Sequence, residues 1–198
     1  MSFEGAAPAA RKPRADAERN RERLIDAAKA AFADKGPDVS LEEIARRAGV
    51  GIGTLYRHFP TRDAIVEAVY RREVRQLAEA ATRLLETRPP GEALHEWMRL
   101  FVDYIATKKV IASALGAIVG GAELYAASGA QIIGAMSLLV RRAADSGDIR
   151  ADADPEDLLR ALVGFTYGNA SPGWQPSALR LIDILMDGLR PARRSAGS

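Results

Sequence analysis

Residues 51–62, GIGTLYRHFPTR, crowd hydrogen-bond donors of several kinds into one short stretch. Thr54, Tyr56 and His58 can each donate to a phosphate oxygen, a contact that sets register without reading sequence. Arg57 carries the planar fork that fits O6 and N7 of guanine in a major groove. A further phosphate contact or a solvated arginine remains the alternative for it. Arg62, just past Pro60, is placed for another phosphate. Gly51 and Gly53 each cost roughly 1 kcal/mol of helix stability relative to Ala. In return they remove side chains that would hold the backbone off an approaching surface, and they leave N–H groups at a helix start open to an anion. The chemistry these residues suit is close approach to a polyanion.

The elements around the stretch must present it. On a wheel of 100° per residue, Leu55 and Phe59 fall within about 40° of each other and point inward. Gly53, Thr54 and Arg57 point away, with Tyr56 and His58 on the flanks. Ile52 lies near the inward face, so packing competes with contact to a thymine methyl. Upstream, Ser40 stands three residues before Glu43, the spacing of a capping box. It starts a short helix with Leu41, Ile44, Ala45 and Ala48 inside, and Gly49 is placed as its left-handed cap. Before it, Leu24, Ala28 and Phe32 give a first helix from Asp16, stopped by DKGPD at 34–38. Three short helices with the AGVG link at 48–51 have the spacing of a helix-turn-helix.

The rest of the chain is also helical by period. Expected helices run from Thr61 to about Thr87, over 92–107, 110–118 and 122–145, from Asp154-Pro155, and from Pro176, giving nine in all. No segment alternates with period two, so the predicted class is all-α. Of 198 residues, 91–187 hold eight Lys/Arg and twelve Asp/Glu, so with a net charge of +2 the remainder carries +6. A basic end beside an acidic body fits a polyanionic partner. Cysteine is absent, which removes disulfides and thiolate chemistry. The apolar run at 110–122 is too short to span a bilayer, and no leader with a cleavage site opens the chain, so the expected location is the cytoplasm, without membrane attachment.

The stretch SLEEIARRAGVGIGTLYRHFPTRDAIVEAV, 40–69, strongly resembles the DNA-binding signature of the TetR/AcrR family of bacterial transcriptional regulators. Ser40, Ile44, Ala45, Ala48, Gly49, Val50, Gly53, Thr54, Leu55, Tyr56, His58 and Phe59 carry the match. Gly51 departs from the family's usual Ser, and Arg62 from its usual Lys. The resemblance implies a ligand-responsive repressor that binds a palindromic double-stranded operator as a homodimer and is released by a small-molecule effector. It adds Ser40 to the expected DNA contacts, beside Gly51, Ile52, Gly53, Thr54, Tyr56, Arg57, His58 and Arg62. The implied organisation is a basic arm over 1–15 and a DNA-binding domain over 16–60. An effector-binding and dimerisation domain over 61–190 and a tail over 191–198 complete it. The basic residues Arg11, Lys12 and Arg14 of the arm suit a minor groove or a disordered tail equally.

In the body, Trp97, Phe101, Tyr104, Tyr125, Met136, Phe165, Tyr167 and Trp174 are expected either as core or as the lining of the effector pocket. Leu158, Leu162, Leu179, Ile182 and Met186 belong to the dimer surface that the resemblance implies, or else to the chain's own core. YGNASPGWQP, 167–176, places Trp174 in a loop with no helical face to bury it; a cover for the pocket and a cap on the dimer interface both fit. His95 beside Glu92, Glu96 and Asp103 reads as a partly exposed helix histidine more readily than as a metal ligand. No nucleophile–base–orienter set can be assembled, so neither catalysis, metal nor cofactor is expected. The alternative is a helical small-molecule-binding or catalytic protein whose head does not engage DNA.

Overall fold

The computed structural model describes residues 11–116, 118, 121–168 and 173–191. Eight helices occur among them, with no strand: α1 (Arg11–Lys35), α2 (Leu41–Ala48), α3 (Ile52–His58), α4 (Arg62–Thr87), α5 (Pro90–Gly116), α6 (Gly121–Asp145), α7 (Pro155–Tyr167) and α8 (Gln175–Gly188). The chain divides into two compact units. One comprises Met1–Val69 with Val110–Gly116, the other Tyr70–Lys109 with Ala117–Ser198.

The first unit is built by capping and apolar periodicity together. Ser40, in extended geometry, accepts a hydrogen bond from the Glu43 N–H at 3.2 Å and so starts α2. Gly49 ends it in the left-handed region (φ 65°), where a residue with a Cβ is strained. Its N–H bonds back to the Arg46 carbonyl at 3.1 Å, and that of Val50 to Ala45 at 3.0 Å, satisfying carbonyls the helix end leaves open. Helices α1, α2 and α3 pack on one another. Leu24, Ile25, Ala28 and Phe32 of α1, Ile44, Ala45 and Ala48 of α2, and Leu55 and Phe59 of the α3 segment are buried. Burying an aliphatic or aromatic side chain of this size contributes about 1.5–3 kcal/mol.

In the second unit α7 packs on α6 and α8. Asp154 caps α7 by accepting from the N–H groups of Glu156 and Asp157, both at 2.9 Å. The apolar stretch Glu123–Asp145 of α6 is long and apolar enough to cross a membrane by length and composition. Its Ile132, Met136, Leu139, Val140 and Ala143 are instead buried in the protein.

Two sequence expectations change. Helices expected over 92–107 and 110–118 are one continuous α5, because Thr107, Lys108 and Lys109 contain no helix breaker and the Thr107 hydroxyl bonds back to the Asp103 carbonyl at 3.3 Å. The described count is therefore eight rather than nine. Among the described residues the first helix already runs from Arg11, ahead of the start expected at Asp16. Residues 1–10 of the expected arm over 1–15, residues 192–198 of the expected tail over 191–198, and the loop residues 169–172 lie outside the described residues.

Candidate nucleic-acid interface

Apart from Ile52, helix α3 sorts its residues as the wheel predicts. Leu55 and Phe59 face the core, while Gly51, Gly53 and Arg57 are exposed and Thr54 and His58 half-exposed. Tyr56 is 46% exposed and Ile52 37%, so the choice left open for Ile52 falls to the solvent side. Neither glycine is needed by the protein's own packing. A Cβ built on Gly51 or Gly53 meets nothing within 4 Å, and neither residue has a positive φ. Gly51 serves as the α3 N-cap without any side-chain hydrogen bond. Gly51, as an N-cap, costs the helix little, whereas Gly53 keeps the first turn of α3 bare at a cost to helix stability, with nothing inside the protein to compensate. Behind it, the Arg21 guanidinium lies 5.5 Å from the Phe59 ring centre, tying α1 to the end of α3.

An ion cluster holds α2 to α1. Glu43 accepts from Arg46 at 2.8 and 2.9 Å, from Arg47 at 2.9 Å and from Lys35 at 3.1 Å. Arg47 also reaches Asp34 at 2.7 Å. The hydrogen bonds from Arg46, then Arg47, then Lys35 hold the Glu43 carboxyl well below the usual carboxylate range. The sequence carried a signal for part of this cluster, since Glu43 stands three and four residues before Arg46 and Arg47.

Ser40 is exposed as well as capping α2. Arg62 departs from expectation. Its guanidinium turns back onto the α1–α2 turn and donates to the carbonyls of Pro37 and Val39, each at 2.7 Å. The planar fork finds two adjacent backbone acceptors there, and both bonds are part-buried.

The aromatic residues of the second unit divide into core and rim. Trp97 is buried, with its indole N–H donating to the Leu77 carbonyl at 2.8 Å. Phe101, Tyr104 and Met136 are buried too. Tyr104 donates to the Tyr70 hydroxyl at 3.4 Å, and burial pushes its phenol above the usual tyrosine range. Tyr70, which sequence reasoning missed, sets its ring 5.7 Å from that of Tyr125. Tyr125 and Phe165 are half-exposed, and Tyr167 is exposed. Trp174 is buried beneath Lys109, whose ammonium also lies 5.3 Å from the Tyr167 ring centre and donates to the Thr166 carbonyl.

A recess of about 370 Å³ opens elsewhere in this unit, lined by Pro89, Glu92, His95, Asp148, Asp183 and Met186 among others. None of the eight aromatic and methionine residues expected to line a pocket borders it. His95 lies 2.8 Å from the Asp183 carboxylate across it. Asp148 closes on Gly91, accepting from its N–H at 2.8 Å; a Cβ there would come within 2.8 Å of the Asp148 side chain. Among the described residues no cluster of His, Asp and Glu is arranged to hold a metal ion.

Of the residues expected on a dimer surface, Leu158, Leu162 and Ile182 are buried in the chain's own core, Leu179 is half-buried, and Met186 lines the recess. Of the two alternatives left open for these residues, burial in the single chain favours its own core for Leu158, Leu162 and Ile182, while the other face of each helix also carries large apolar groups. The outward side presents Val163 (40% exposed), Tyr167 (46%) and Ile184 (66%).

Comparison with known proteins agrees with this geometry. Residues 24–69 match the family of bacterial regulatory proteins, tetR family, and residues 89–191 match the C-terminal domain of SbtR-like transcriptional regulators. The fold is similar to the crystal structure of the TetR transcriptional regulator SCO0520 from Streptomyces coelicolor, with 43% identity and a TM-score of 0.80, covering 87% of this chain and 99% of that one. A TetR regulatory protein from Mycobacterium vanbaalenii is 37% identical with a TM-score of 0.76, over 90% of this chain and 99% of that one. The HTH-type transcriptional regulator TtgW of Pseudomonas putida is 46% identical over 30% of this chain and 46% of its own. The chain spans about half the length of the curated relatives it matches. By its two family matches and its likeness to SCO0520 along nearly all of that protein, the chain belongs to the TetR family of bacterial regulatory proteins.

Proposed function

We infer that this chain is a DNA-binding transcriptional regulator, a repressor that leaves a palindromic operator when a small-molecule effector binds. The observation that carries the reading is the bare, donor-rich start of α3. Gly51 and Gly53 have open space where a Cβ would stand, and Thr54, Tyr56, Arg57 and His58 are all at least half-exposed. A surface weakened without internal compensation is accounted for by an external partner that approaches closely. Thr54, Tyr56 and His58 hold phosphates, Arg57 reads a base edge, and Ile52 contacts a thymine methyl. DNA-binding places the protein's work in the cytoplasm and asks for no catalytic group.

The protein acts as a homodimer. Val163 and Tyr167 are one helical turn apart on α7, and Ile184 stands on the neighbouring α8, so the outward apolar groups lie on two helices that pack together. Exposed apolar groups of this size are commonly covered by a partner. A two-fold dimer would then carry two copies of α3 and would favour an operator with two-fold symmetry. The effector belongs to the second unit, where the half-exposed Tyr125 stands edge-on to Tyr70, beside the buried rings of Tyr104 and Phe101. The test is selection of duplexes from a randomised pool by wild type and by Arg57→Ala. Loss of the arginine should cost about 1–3 kcal/mol and relax preference at one position of each half-site. An unchanged base preference would remove Arg57 from sequence reading.

A further inference from the structure

We propose that Arg62 is a positioning residue for DNA binding, a backbone staple that closes the reading head on itself. The proposal rests on the DNA-binding reading above and assigns Arg62 a role other than touching phosphate.

Helix α4 opens with Arg62, behind a cap in which the Ala64 N–H donates to the Thr61 hydroxyl at 3.1 Å. The side chain runs back along the head. One terminal nitrogen donates to Pro37 and the other to Val39, positions 25 and 23 residues earlier. Everything that faces the proposed DNA surface, Ser40 with α2 and α3, lies inside the loop these two bonds close.

The acceptors are ones that need a donor. Pro37 and Val39 sit in the turn between α1 and α2, where no helix supplies one, and the turn is entered through Gly36 in the left-handed region (φ 82°). Val39 anchors the segment with a buried side chain, and the next residue, Ser40, sets the first turn of α2. Fixing the two carbonyls therefore fixes the position of the α2 start relative to the α4 start, and α3 is suspended between them.

The geometry calls for arginine specifically. Two acceptors, one residue apart, each 2.7 Å from a different terminal nitrogen, match a planar guanidinium. A lysine ammonium is a point donor and holds one carbonyl well or both poorly. Among the described residues no carboxylate lies within 4.0 Å of Arg62 to compete for the fork.

The test uses the full-length chain and a duplex selected by the wild-type protein from a randomised pool, with an unrelated duplex beside it. Arg62→Lys and Arg62→Ala are titrated by fluorescence anisotropy across a salt series, at a temperature where circular dichroism shows each variant folded. Both variants should bind the selected duplex about tenfold more weakly, the scale of two lost hydrogen bonds. Their affinity for the unrelated duplex should change less, and the salt slope of Arg62→Lys should equal that of wild type. Wild-type affinity in Arg62→Lys, with a slope lowered by about one in Arg62→Ala, would identify a phosphate contact and overturn the proposal. A parallel fall on both duplexes would overturn it as well, because general destabilisation weakens all binding equally. A pool from which wild type enriches nothing would overturn the DNA-binding reading itself, and this inference with it.

Discussion

The ammonium of Lys109 lies 4.0 Å from the centre of the Trp174 ring. This pairing explains how a tryptophan in a loop becomes buried. Lys109 leaves α5 half-buried, donates a hydrogen bond to the Thr166 carbonyl near the end of α7, and covers the ring with its charge. One side chain thus fastens the end of α7 and the start of α8 to α5. Lys109→Met keeps the aliphatic stem and removes the charge. It should lower unfolding free energy by about 1–2 kcal/mol, the range for a partly desolvated cation over an aromatic ring. Urea denaturation measures the loss, and tryptophan emission should shift to the red. Unchanged stability and emission would show the contact to be incidental.

Gly53→Ala separates stability from function. The added methyl meets nothing within 4 Å inside the protein, so the helix should gain about 0.5–1 kcal/mol. Affinity for a selected duplex should fall on the order of tenfold, the scale of one lost DNA contact. A variant that is more stable and binds equally well would show that the bare surface of α3 is not used.

The Glu43 cluster predicts an acid-sensitive link between α1 and α2. A carboxyl whose folded-state value lies below its unfolded one adds stability that is complete above the unfolded value, about 4.3. That stability is lost as the pH falls through the folded value. Wild type should therefore be more stable than Glu43→Gln at neutral pH, and the gap should narrow below about pH 4. Urea midpoints of the two proteins along a pH series provide the measurement. A gap that stays constant into acid would assign the effect to packing rather than to charge.

Ile184→Glu tests the proposed dimer face. Ile184 is 66% exposed, so a charge there meets water in one chain and apolar surface only in a dimer. Sedimentation should show the variant as a folded monomer, with weaker binding to a symmetric duplex. A dimer of unchanged stability would move the interface off this part of α8.

Much of the first unit was legible because its determinants are local. The Ser40–Glu43 spacing, the glycine at 49 and the apolar period through Leu55 and Phe59 lie within a few residues of what they specify. The bonds of Arg62 were not legible because its partners, Pro37 and Val39, are more than twenty residues away and are backbone atoms, which leave no mark on sequence. The break assigned near 108–109 failed for the opposite reason. Neither Lys108 nor Lys109 breaks a helix, and Lys109 spends its charge on rings and a carbonyl brought to it by the fold. On α7 and α8 the period left Leu158, Leu162 and Ile182 open between a dimer surface and the chain's own core, and only burial shows that they turn inward in the single chain.

The most direct measurement is enrichment of duplex DNA from a randomised pool by the full-length protein, followed by titration of the enriched sequence at two salt concentrations. The expected result is a two-fold symmetric sequence whose affinity exceeds that of the starting pool and falls as salt rises. A pool that emerges unenriched, or binding indifferent to salt, would contradict it.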